Sequence, residues 1–338
     1  MISPTANANG LAATGSYAFQ ANPDYENRGK ALARYAIQKR GLRSFAVLSP
    51  SDTHGKLLAE AFTAEVIRLG GTIVASEWYS TGAKDLSPQL QNIRRAAERY
   101  SAEPTISFKG RLNQGDLAKL VQAGVSRKRL DSLVNRAAVV PVTFLLGPRG
   151  KGLVDSLQIT AVAYPDNTDS LDIPMAGIEA IYCPISGPEE IAVLSSQIVY
   201  FNLQTQILGS GEWDDFAELN GSKRYCDGVV FESDNYPDET SPDYQSFRAA
   251  FQHRFGKPPG KNGLYGYDVT RMVLGLVRIG ASTREAMARS LAEEKTYDGL
   301  HAKIFLAGRR VNSWLKILES SSDTIHQVDE LNVDAAQN

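Results

Sequence analysis

Apolar and polar positions follow one another along this chain in two periods, and the switches between them mark its elements. The clearest case runs from Ser44 to Tyr79. Phe45–Leu48 is a short apolar run of strand length, and Ser49–Gly55 after it is a turn-rich polar loop. Leu58, Phe62, Val66 and Leu69 then recur at helical spacing on one face, with Lys56, Glu60, Thr63 and Arg68 on the others. Gly70 and Gly71 supply a helix stop, and Thr72–Ser76 resumes as a strand. This βαβ unit predicts a parallel sheet with a right-handed crossover. The loop Ser49–Gly55 then faces any site at the strands' carboxyl ends.

The alternation extends to both sides. Asn22–Tyr25 opens a helix over Gly29–Lys39 with Leu32, Tyr35 and Ala36 inward, closed by Gly41. Leu86–Ala97 carries Leu90, Ile93 and Ala97 on one stripe. Further on, Ile178–Pro184 reads as a strand, Ile191, Leu194, Ile198 and Phe201 as a helix, Gln206–Leu208 as a short strand and Asp227–Phe231 as another. Between Glu98 and Ala176 the pattern breaks into an insertion rich in Arg111, Lys119, Arg127, Lys128, Arg129 and Arg136, whose charges predict a solvated face. Within it Val139–Leu146 is a strand candidate, and Pro165–Ser170 is a polar loop.

Toward the C-terminus, Glu232–Pro242 is acidic and reads as a solvated linker. Tyr244, Phe247, Phe251 and Phe255 mark an amphipathic helix with an aromatic stripe toward the core. Asp268–Ile279 predicts a buried helix, and Ser282–Glu285 a capping box opening the next. Ala302–Phe305 and Asn312–Leu318 read as a β-hairpin, and the polar tail beyond Glu319 as frayed.

Composition narrows the classes. The chain has 338 residues, 43% hydrophobic and 22% charged, which is ordinary for a globular protein of two domains. A net charge of -2 argues against a dedicated nucleic-acid partner. No apolar run approaches the roughly 20 residues of a membrane span. The opening MISPTANANG lacks the basic and apolar segments of a secretory signal, which taken alone favours the cytoplasm. Cys183 and Cys226 are expected to be buried free thiols.

The usual chemistry is missing. No G-x-G-x-x-G follows a strand, and no G-x-S-x-G elbow is present. Gly147–Gly152 has the wrong spacing for a phosphate loop, and the acidic loop lacks the EF-hand spacing. His54, His253, His301 and His326 are scattered, with no pair at metal-ligand spacing, so neither metal nor cofactor is expected. His54 alone sits at a strand's carboxyl end, as a general base, a ligand contact or a surface residue. The loops Ser49–Gly55, Ile185–Pro188 and Gly209–Trp213 hold hydroxyls, one His, one Glu and one Trp, a set that suits recognition rather than catalysis.

The order of segments is distinctive. ISPTA, FAVLSPSDTHGKLLAEAF, GGTIVASEWYSTGAKDLSPQLQNIR, IEAIYCPIS, QILGSGEW, DGVVF, GYDVTRMVLGLVRIG and YDGLHAKIFL follow one another as in type I periplasmic binding proteins, the family of Leu/Ile/Val receptors of ABC transporters. The chain resembles that family outside the insertion. Around IEAIYCPISGPEEI and YFNLQTQILGSGEW it is closer to a branch of lipoprotein activators of penicillin-binding proteins.

The resemblance implies a two-lobed α/β fold of parallel sheets flanked by helices, with a small polar ligand, such as an amino acid, held between the lobes. It implies an extracytoplasmic parent protein and, as partner, an ABC permease or a penicillin-binding protein. The ligand site would draw on Thr5, Ala6 and Asn7 for a carboxylate, His54 and Ser186 at positions that are commonly aromatic, Glu212 for an α-amino group, and Trp213. The family's first βα units are absent here, so the chain reads as N-terminally truncated with an incomplete first lobe. On this reading residues 1–21 are a remnant of the first lobe and 22–232 the second, with the insertion at 98–176. Residues 233–320 supply late helices and a hairpin of the first lobe, and 321–338 are tail. The helix Asp268–Ile279 would then expose an apolar patch.

Overall fold

The computed structural model describes residues 1–110, 112–164, 171–175, 177–321 and 324–334, so the polar loop Pro165–Ser170 lies outside the described residues. The chain opens with β1 (Ile2–Ser3), which pairs in parallel with β2 (Phe19–Gln20). Helix α1 (Tyr25–Arg34) is capped by Asp24, whose carboxylate accepts from the Asn27 N–H, and runs on as a π-helical turn over Tyr35–Lys39. The predicted unit follows as β3 (Ser44–Pro50), α2 (Thr53–Arg68) and β4 (Thr72–Tyr79), then α3 (Ser87–Ser101).

The insertion forms a small body: β5 (Thr105–Ser107), α4 (Gln114–Gln122), α5 (Arg127–Asn135), β6 (Val139–Pro141), α6 (Val142–Leu146), α7 (Gly150–Ser156) and β7 (Val162–Ala163). Its strands pair antiparallel in the order β6-β5-β7 over a core of Ile106, Leu120, Leu130, Val142 and Val154. The strand expected over Val139–Leu146 is therefore only half a strand. Pro141 caps the helix that replaces its second half, a place where the missing N–H costs nothing.

Alternation then returns with β8 (Ala180–Cys183), α8 (Ile191–Tyr200), β9 (Gln206–Gly209), α9 (Phe216–Gly221), α10 (Lys223–Cys226) and β10 (Val230–Ser233), the last shifted from the expected Asp227–Phe231. Among the described residues, a seven-stranded sheet runs β14-β13-β10-β9-β8-β3-β4, parallel from β4 to β10. Period-two alternation sends Phe45, Val47, Ala180 and Tyr182 to one face, under Leu32, Leu58 and Phe62 of α1 and α2. Ala46, Leu48, Ile181 and Cys183 go to the other, under Leu90 and Ile93 of α3 and Leu194 and Ile198 of α8. Helices α1 and α2 touch so closely that a Cβ on Gly29 would lie 2.7 Å from the Phe62 backbone N. Both cysteines are buried and free.

After β10 come α11 (Pro242–Phe255), α12 (Lys261–Arg278), α13 (Arg284–Leu291), β11 (Tyr297–Asp298), β12 (Lys303–Ile304), β13 (Trp314–Ser321) and β14 (Thr324–Asn332). The expected hairpin between Ala302–Phe305 and Asn312–Leu318 does not form. Instead β12 pairs with β11, while β13 pairs with β10 and with β14. The tail expected to fray is thus mostly the edge strand β14, polar because an edge strand is half solvated. The aromatic stripe of α11 is not core either: only Tyr244 is buried, and Phe255 is 60% exposed. Phe247, Phe251 and Tyr267 instead make a surface aromatic cluster. A second small core gathers Phe19, Met272, Leu291, Ile304 and Leu306. Helix α12 buries Leu264, Tyr265, Asp268 and Met272 but leaves Leu274 and Val277, and Ile279 at its C-cap, exposed.

Candidate functional site

Polar loops at the carboxyl ends of the parallel strands are tied to one another by carboxylates. Asp52 caps α2 by accepting from the Gly55 N–H at 2.7 Å, and it also accepts from the hydroxyls of Thr81, at 3.1 Å, and Ser186. Burial raises the Asp52 carboxyl, but the hydrogen bonds from Ser186, Gly55 and Thr81 outweigh it and hold the group below its ordinary range. Glu190 accepts from the Tyr79 hydroxyl at 2.8 Å, the Gly82 N–H at 3.0 Å and the Ser186 N–H at 3.2 Å. The loops after β3, β4 and β8 therefore form one rigid rim.

His54 stands in the first turn of α2, edge-on to the Tyr25 ring at 5.0 Å. Tyr25 in turn donates its backbone N–H to the Asn7 carbonyl at 3.1 Å, and Asn22 reaches the Thr5 carbonyl at 3.5 Å. The ISPTA loop thus lies against the start of α1, beside His54. Burial lowers the His54 imidazole below its ordinary value, against the pull of nearby Glu212 and Asp52. Its Nε2 is buried with no hydrogen-bond partner among the described residues.

Below this rim lies a buried ionic cluster. Arg28 of α1 donates to Glu232 at 2.9 Å and also to Asp234, and Lys261 stands 3.2 Å from Asp234. The Gly211 N–H donates to Glu232 at 2.8 Å, and a Cβ on Gly211 would fall 2.9 Å from Arg28 Nη1. A side chain there would have to displace the guanidinium end of Arg28. Burial pushes the Glu232 carboxyl up to about 7 in spite of Arg28. Burial also opposes ionisation of Asp234, but Arg28 and Lys261 together hold it far below its ordinary value. The acidic stretch that opens at Glu232 is thus no solvated linker at its start: Glu232 and Asp234 are almost fully buried. Tyr182 Oη and Ser210 Oγ are also buried without partners among the described residues.

An open groove of about 790 Å³ runs beside the cluster, lined among others by Gly211, Glu212, Asp214, Asn235, Tyr236 and Lys261. Of the residues expected from the sequence, Ala6, Asn7, His54, Ser186 and Glu212 are drawn to this end of the sheet, and only Glu212 lines the groove. Thr5 is exposed. Trp213 is fully buried; its indole N–H donates to the Cys183 carbonyl at 2.9 Å, and the ring fills the space left by Gly209. It supports the loop from beneath. Sequence reasoning missed Tyr25, Arg28, Glu232 and Asp234. One signal was available: Arg28 shares a helical face with Leu32 and Tyr35, and an arginine on an apolar stripe implies a buried acid.

A family model described as periplasmic binding protein matches residues 1–98 and 172–320. The chain belongs to the periplasmic binding protein family. The match omits residues 99–171, which are almost the whole of the inserted body. No curated protein matches the chain. Solved periplasmic binding proteins share its fold at low identity. A leucine-binding protein of Thermotoga maritima is 14% identical with a TM-score of 0.58, over 99% of this chain and 73% of its own. A putative branched-chain amino acid ABC transporter protein of Rhodospirillum rubrum is 16% identical with a TM-score of 0.64, over 97% and 72%. A solute-binding protein of R. palustris, solved with benzoate, is 12% identical with a TM-score of 0.55, over 97% and 70%. The type I fold expected from the sequence is thereby established, as a mixed α/β protein with a mostly parallel sheet flanked by helices. Among the described residues, no helix is long and apolar enough to cross a membrane.

Proposed function

We propose that this chain is an extracytoplasmic solute-binding protein that holds a small polar ligand where the loops after β1, β3, β8, β9 and β10 converge, and presents it to an ABC permease. The observation that carries this reading is the convergence itself. Asn7, His54, Ser186 and Glu212 come from loops far apart in sequence, and His54 Nε2 and Ser210 Oγ on those loops are buried polar atoms without hydrogen-bond partners among the described residues. Such groups are costly unless something polar meets them. Backbone groups of Thr5–Asn7 would take a carboxylate, His54 would pack over the ligand, and Ser186 would position it. Glu212 would take an amine, in keeping with the acidic lining of the groove that it shares with Asp214. Among the described residues, no nucleophile is hydrogen-bonded to His54, which favours holding a molecule over transforming it. Lobe closure would follow only in so far as the ligand binds the closed form more tightly.

Calorimetry of the full chain against the twenty amino acids and a set of small carboxylates tests this. The expected result is one ligand per chain for at least one compound, weakened about tenfold or more by Glu212→Gln. No heat from any compound, under conditions where the chain is folded, would count against the reading.

A further inference from the structure

A second groove, of about 710 Å³, opens where the inserted body meets the main sheet. One wall is the start of β4, through Thr72, Ile73 and Val74. The floor is the exposed side of α3, with Arg95, Arg99 and Tyr100, and the far wall carries Lys151, Asp155 and Tyr164 of the inserted body. The family match stops at residue 98 and resumes at 172, so the far wall lies outside it.

Three features of the groove point the same way. First, β4 is the edge of the seven-stranded sheet, and no strand among the described residues pairs with its outer side. Edge strands are commonly blunted by lysine, proline or a bulge. β4 spans eight residues with neither Lys nor Pro; a bulge at Val74 interrupts it, residues 75–79 beyond the bulge are regular, and its one charged residue, Glu77, accepts from the Asn92 amide at 3.2 Å. The opposite edge, β14, carries Asp329 and Glu330. Second, the lining is cationic. Arg99 makes no ion pair among the described residues, and Arg95 is bonded only to the Asn92 side chain, at 3.1 Å. The lone acid, Asp155, is engaged by the Tyr164 hydroxyl at 2.7 Å. Between residues 99 and 164 there are ten Lys and Arg against four Asp and Glu, in a chain whose net charge is -2. Third, the far wall is held in place: Lys151 donates to the carbonyls of Tyr100 and Ala102, at 3.1 Å for the latter, with its ammonium 5.8 Å from the Tyr100 ring and 6.0 Å from that of Tyr164.

We propose that this groove takes an extended, acidic peptide segment of a partner protein as an added strand on β4. Backbone hydrogen bonds to the outer edge of β4 on either side of the Val74 bulge would supply generic affinity, and carboxylates at alternate positions would reach Arg95 and Arg99. Tyr100 and Tyr164 would cover the intervening side chains. An anionic glycan could use the same cations and rings but has no means of extending the sheet, so the free edge favours a peptide.

The test uses the full chain and a short synthetic peptide of alternating Glu and Val, with a Lys and Val peptide as control. Fluorescence anisotropy should show binding of the acidic peptide, at least tenfold weaker for the Lys form and for the Arg95→Glu/Arg99→Glu double variant, whose side chains are solvent-exposed. Hydrogen exchange should slow across residues 72–79 when the acidic peptide is present. Equal binding of both peptides, or tight binding that leaves exchange in β4 unchanged, would overturn the proposal. Displacement of the peptide by heparin with β4 protection retained on neither ligand would mark a simple polyanion site and overturn it as well. The amino-acid titrations above do not bear on this groove, so either reading can fail alone.

Discussion

Arg28 and Glu232 are 204 residues apart in the chain, yet their side chains meet at 2.9 Å in a site that is closed to solvent. With Asp234 on the other arm of the guanidinium, the arginine joins α1 to β10 and sets the floor on which the Gly211 loop rests. Removing the cation would leave two buried carboxylates with only Lys261 to face. Arg28→Met should therefore cost about 3–5 kcal/mol in chemical denaturation. A loss under 1 kcal/mol would show that the cluster is hydrated and not structural.

The same cluster makes stability depend on pH. Burial raises Glu232 from its ordinary 4.5 to about 7. The folded chain therefore keeps a proton on Glu232 that the unfolded chain has released, and this contribution is complete below pH 4.5 and lost as pH rises through about 7. His54 acts in the other direction: its lowered value means the unfolded chain takes up a proton that the folded chain refuses, so stability falls as pH drops below 6.5. Thermal midpoints measured across this range should lose the alkaline decline in Glu232→Gln and the acid decline in His54→Phe. An unchanged profile in either variant would remove that residue from the account.

Helix contact offers a third check. A methyl group on Gly29 would sit 2.7 Å from the Phe62 backbone, so Gly29→Ala must push α1 away from α2. The expected destabilisation is about 1–3 kcal/mol, and Phe62→Ala, which empties the space beneath Tyr182, should cost about 3–5 kcal/mol. Urea titrations followed by circular dichroism give both numbers. A neutral Gly29→Ala would mean that the two helices have room to move apart.

Much of the fold was legible because apolar periodicity is a local signal. Leu90, Ile93 and Ala97 fall on one stripe of α3, and all three are buried. Phe45–Leu48 reads as one continuous apolar run because both of its faces are covered. Long-range partners were not legible. Glu232 and Asp234 resemble any surface acids until Arg28 is placed beside them, and β14 resembles a tail because an edge strand can be polar. The aromatic stripe of α11 failed for the opposite reason, since periodicity shows which residues share a face but not what lies against it. At the site, the sequence resemblance supplied candidate loop residues, while the ionic cluster of Arg28, Glu232 and Asp234 emerged only from the fold.

The exposed side of α12 yields a fourth prediction. Leu274, Val277 and Ile279 are 51%, 47% and 73% exposed. Ile279→Lys should leave stability within about 0.5 kcal/mol while reducing self-association measured by light scattering. A large loss of stability would show that something covers this face.

The central claim is that loops from distant parts of the chain converge on one ligand site beside His54. Four histidines serve as natural reporters, and NMR of the imidazole protons can follow each, assigned by single substitution. On adding a saturating mixture of the twenty amino acids, the signal of His54 should move while those of His253 and His326 stay fixed. Binding detected by calorimetry with the His54 signal unmoved would contradict the account.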